Sequence, residues 1–98
     1  MSYYANRAER VNLIAGLLAL AEFLNEYGEV PAPKYIDVMV FPHESDDDAE
    51  RCEVDRIATL IGVTTQTSAA SHYVASRTFG PIEYRAIAIP ASPQEAQE

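Results

Sequence analysis

The chain has 98 residues, of which 48% are hydrophobic and 22% charged, with a formal net charge of −8. That size suits one small domain, expected over residues 1–90, and the hydrophobic fraction is that of a globular rather than a disordered chain. The acidic balance excludes direct binding to a phosphate backbone, which needs a basic face. The single cysteine excludes an intrachain disulfide or a multi-thiolate zinc site and points to a reducing, cytoplasmic setting.

Arg7 and Arg10 precede an apolar run from Leu13 to Ala21, an order that imitates a secretory leader. Glu9 interrupts the basic stretch, and the apolar pattern continues past Glu22 through Phe23, Leu24 and Tyr27. The run is also shorter than the roughly 18–20 apolar residues of a membrane span. It reads as a core helix over 6–27, stopped by Gly28. Leu13, Leu17, Leu20, Leu24 and Tyr27 fall on one line, with Phe23 to one side and Ala21, Ile14 and Leu18 to the other. The apolar arc is about 200° wide, roughly twice the stripe that packs on one sheet. Such a helix needs cover from two sides, by the second helix or by another copy of the molecule.

Residues 35–41 (YIDVMVF) alternate and are β-branched, which predicts a strand ended by Pro42. The second helix is expected from Ser45, where Ser45 and Asp48 fit a capping box and Asp46, Asp47 and Asp48 oppose the positive helix pole. Its predicted core stripe is Val54, Ile57, Ala58 and Ile61, with Leu60 at the edge, an Asp47–Arg51 pair outside and Gly62 as the stop. Beyond it the period changes to two. Strands are expected over 63–68, 71–79 and 82–89, the last two joined at Gly80-Pro81. That turn sets Phe79 opposite Ile82, Arg77 opposite Tyr84, Ala75 opposite Ala86 and Tyr73 opposite Ala88. Residues 91–98 are polar and proline-broken and read as a disordered tail. The order α-β-α-β-β-β implies an α+β domain, two helices on one face of a small, mostly antiparallel four-stranded sheet. The strands flanking the second helix are candidates for a parallel pair.

Candidate chemistry is sparse. Cys52 reads as a passive helix residue, and His43 lacks a recognised metal-ligand spacing with Asp46 or Asp48. His72, Tyr73, Arg77 and Tyr84 are the nearest approach to a ligand cluster, with Arg77 expected to stack on Tyr84 or to sit as a buried guanidinium. His72 should point away from the other three. No phosphate loop or nucleophile elbow is present, so neither an enzyme nor a cofactor is expected. The charge map says more. Residues 44–56 carry net −5, a patch in which Asp46, Asp47, Asp48, Glu50 and Glu53 are the candidate protein-binding residues. A solvated, capped helix face is the simplest account. Docking on a basic protein, or mimicry of DNA in an inhibitor, is the alternative.

Three stretches, IAGLLALAEFL (14–24), EVDRIATLIGV (53–63) and HYVASRTFGPIEYRAIAI (72–89), resemble a group of short uncharacterised proteins of actinobacteria and of their phages and plasmids. The resemblance implies a bacterial or phage cytoplasmic setting and carries over no activity, cofactor or site residue. The expected function is a non-enzymatic interaction module that binds a protein partner, itself included as a homodimer, and neither nucleic acid nor membrane. A phage-type acidic inhibitor and a small enzyme or ligand binder using His72, Arg77 and Tyr84 are the alternatives.

Overall fold

A computed structural model describes residues 4–90; the expected tail over 91–98 lies outside them. The elements are helix α1 (Arg7–Glu26), strand β1 (Ile36–Val40), helix α2 (Asp47–Ile61) and strands β2 (Gln66–Thr67), β3 (Tyr73–Phe79) and β4 (Ile82–Ala88). This is the α+β class in the expected order. The chain falls into two compact units, Met1–Lys34 and Tyr35–Glu98.

The first unit is built on α1. Asn6 caps it, accepting from the Glu9 amide at 2.8 Å while the Glu9 carboxylate accepts from the Asn6 amide at 2.9 Å. This reciprocal box satisfies two of the amide donors that a helix start leaves open. At the other end the expected glycine cap does not form. Tyr27 is the C-cap, its amide bonded to the Phe23 carbonyl, and Gly28 is not among the left-handed glycines.

In the second unit the sheet order is β1-β4-β3-β2. β3 and β4 pair antiparallel in the register that the turn predicts, Phe79 with Ile82 through Tyr73 with Ala88. Gly80 has φ 61° and Pro81 a ring-fixed negative φ, a sign pattern that suits a two-residue hairpin. β2 is shorter than expected, pairing only Gln66 and Thr67 with β3. β1 lies parallel to β4, not to β2; the two strands flanking α2 occupy opposite edges of the sheet. Ser71, at φ 67°, closes the tight turn into β3, with its amide on the Ser68 carbonyl.

α2 packs on the sheet face that carries Tyr73, Ala75 and Ala88. Val54 and Ala58 are buried against Ala75 and Ala88, with Ile61, Val63 and Tyr73 partly buried around them. Alanines at the centre of β3 and β4 let the helix backbone come close, so a small core is still tightly filled. The helix begins one residue later than expected. Asp46, not Ser45, is the N-cap and accepts from the Ala49 amide at 2.8 Å. Gly62, at φ 76°, ends it as a left-handed cap, its amide bonded to the Ala58 and Thr59 carbonyls.

Candidate functional site

The acidic patch is largely committed to α2 itself. Asp46 is the cap, Glu50 accepts weakly from the Glu44 amide at 3.5 Å, and Asp48 pairs with Arg51 at 3.1 Å. Arg51 thus has Asp48, at i−3, as a partner. Glu53 accepts from Arg56 Nε at 2.8 Å and from Arg56 Nη2 at 2.7 Å. Asp47 opens the first turn, where a carboxylate faces the positive pole of the helix. Around Asp46, Asp47, Asp48 and Glu50 lies an open depression lined also by Ser45 and Ile89. Each acid of the patch has a local electrostatic reason for its position.

Of His72, Tyr73, Arg77 and Tyr84, only Arg77 and Tyr84 are set side by side, as partners across β3 and β4. The Tyr73 hydroxyl donates to Asp55 Oδ1 at 2.5 Å and accepts from Thr65 Oγ1 at 2.8 Å, tying β3 to α2 and to the chain that follows it. Arg77 is exposed, neither buried nor stacked on Tyr84. Its guanidinium lies 5.1 Å over the Phe79 ring and donates to the Ile61 carbonyl at 3.4 Å. It thereby supplies the cation that the last turn of α2 lacks. His72, one residue before Tyr73, belongs by strand alternation to the opposite face. Its backbone closes the Ser68 turn, with the His72 amide on Ser68 Oγ at 3.1 Å. Cys52 is exposed on α2, and among the described residues no three His, Cys, Asp or Glu side chains cluster in a way that could hold a metal.

On the sheet face away from α2, an ionic group appears that residue order alone did not suggest. Arg85 donates to Asp37 at 3.0 Å and lies 3.8 Å from Glu83, with Arg85 about one-third exposed. The group exists because β1 runs parallel to β4, which sets Asp37 beside Glu83 and Met39 beside Arg85. Met39, Phe41 and Ile89 on or near this face are exposed.

The largest unabsorbed feature is α1. It buries no residue, and Val11, Leu13, Ile14, Leu17, Leu18, Leu20 and Phe23 are between 46% and 64% exposed. Between Val11 and Leu24 only Asn12 and Glu22 are polar. Among the described residues of its own unit nothing buries this surface. It is not a membrane span: no helix among the described residues is long and apolar enough to cross a bilayer. No family model matches the chain, and neither do the curated proteins or the solved structures compared with it.

Proposed function

We propose that this chain is a self-associating protein-interaction module that works by binding rather than by catalysis. One observation carries the reading: α1 presents large aliphatic and aromatic side chains over about 200° of its circumference. Leaving that many apolar groups in water is costly, at ~25 cal/mol per Å² of apolar surface, so a partner surface is favoured. The acidic patch ranks below α1 as a docking site, because capping and intrahelical pairs account for its residues. The cytoplasm is the proposed setting, supported by the single free thiol, and a bacterial or phage origin is proposed with it on the resemblance alone. Sedimentation velocity across the micromolar range tests the reading. A concentration-dependent dimer or larger species is expected; a monomer at every concentration refutes self-association.

A further inference from the structure

We infer that self-association runs through the open edge of β1, where a second copy of this chain adds its own β1 antiparallel about a two-fold axis at Val38. The inference rests on the self-association reading and assigns it a contact, an orientation and a register within the second unit, apart from α1. β1 is the terminal strand of the sheet, paired with β4 on one side and with no strand on the other among the described residues. The Ile36 amide donates to the Pro81 carbonyl at 3.1 Å, which fixes the phase of the ladder. Ile36, Val38 and Val40 therefore turn their backbone groups to β4, while the amides and carbonyls of Asp37 and Met39 point out of the sheet edge. The same alternation gives Tyr35 and Phe41 the outward direction.

Folded chains ordinarily blunt such an edge with lysine, proline, a bulge or extreme shortness. The opposite edge follows that rule: β2 has two residues, Gln66 and Thr67, both polar. β1 does not. Residues 35–41 hold neither lysine nor proline, the register of β1 with β4 is unbroken, and Tyr35, Met39 and Phe41 are exposed. The one charged side chain, Asp37, is already paired with Arg85 at 3.0 Å.

The order of residues points to the occupant. Tyr35-Ile36-Asp37-Val38-Met39-Val40-Phe41 reads nearly alike in both directions from Val38, with a β-branched residue and then an aromatic one at matching distances on each side. A strand that meets its own copy across a two-fold needs that symmetry, because one patch must complement itself. With the axis at Val38, Asp37 of each copy lies opposite Met39 of the other, both outward-facing, and the pair exchanges its amide and carbonyl hydrogen bonds. Tyr35 then meets Phe41, Ile36 meets Val40 and Val38 meets its own counterpart, cross-strand pairs of the kinds that stabilise a sheet. An axis at Asp37 would set carboxylate against carboxylate, and one at Met39 would break the aromatic pair. An axis between two residues would oppose an outward-facing backbone with an inward-facing one.

Met39→Pro is the decisive variant. It removes an outward amide that the β1–β4 ladder does not use, an edge position of the kind that accommodates proline. The dimer Kd, from sedimentation equilibrium, should rise at least about tenfold for Met39→Pro and for Tyr35→Lys, the latter a change at a residue 71% exposed, where the fold has little at stake. Met39→Thr keeps the amide and the strand preference and should leave the Kd within about threefold. For register, Val38→Cys and Val40→Cys chains, each also carrying Cys52→Ser, are oxidised separately. Val38 meets its counterpart at a Cα separation of about 4.5 Å, within disulfide reach, so the first chain should self-link. Val40 lies about 13 Å along the ladder from its own counterpart, so the second should not. A dimer indifferent to Met39→Pro and Tyr35→Lys, or a Val38→Cys chain that links no faster than Val40→Cys, would overturn the inference while leaving self-association standing. A monomer at all concentrations would remove both.

Discussion

Val54 is the largest fully buried side chain among the described residues, packed where α2 meets the alanines of β3 and β4. Val54→Ala removes two carbons from a site with no solvent access. At ~0.8 kcal/mol per buried carbon, the transfer loss is about 1.6 kcal/mol. A residual cavity of roughly 40 Å³, at ~24 cal/mol per Å³, adds about 1 kcal/mol. The sum, about 2.5 kcal/mol, is a large share of the ~5–10 kcal/mol that holds a domain of this size. With a urea m-value of ~1–1.5 kcal/mol/M, the unfolding midpoint should fall by about 2 M. Far-UV circular dichroism at one fixed protein concentration reads it without interference from association. Leu60 is the control: it is a larger residue on the same helix, but 69% exposed, so Leu60→Ala should cost within about 0.5 kcal/mol. Midpoint losses of similar size in the two variants, or a shift below about 0.5 M for Val54→Ala, would refute the packing of α2 on the alanine face.

Other substitutions probe the remaining supports. Asp46→Ala should cost about 1 kcal/mol by urea titration and Ser45→Ala much less, since Asp46 holds the Ala49 amide; equal losses would put the cap elsewhere. Tyr73→Phe removes a hydroxyl that donates to Asp55 and accepts from Thr65, so a loss of about 1 kcal/mol is expected, against none if the hydroxyl is simply solvated. Two glycine substitutions should have opposite signs. Gly62→Ala forces a side chain into φ 76° and should destabilise by about 1–2 kcal/mol, whereas Gly16→Ala should raise the helicity of α1.

Local rules reached far into this protein because its strongest signals are short-range. Period and turn chemistry predict the β3–β4 register residue by residue: a two-residue connection leaves one set of facing pairs, and a slip would turn Tyr73 and Ala75 away from α2. The αL stop at Gly62 and the face of α2 that carries Val54, Ile57 and Ala58 were equally legible. Cap positions were less so, because neighbouring side chains compete. Ser45 and Asp46 can both cap, and the loop geometry favours Asp46 by one residue.

What no local pattern contains is which strands become neighbours. β1 joins β4 across more than forty intervening residues, and that pairing alone brings Asp37 to Arg85 and Glu83. The packing of α2 on the sheet likewise brings Arg77 to the end of α2, where it donates to the Ile61 carbonyl, while its ring contact is with Phe79, two residues along its own strand. Composition and period suffice to say that α1 is apolar around more than half its girth, because hydrophobicity is a property of residues. How that surface is satisfied depends on a second surface brought to it in space, and so on tertiary and quaternary structure.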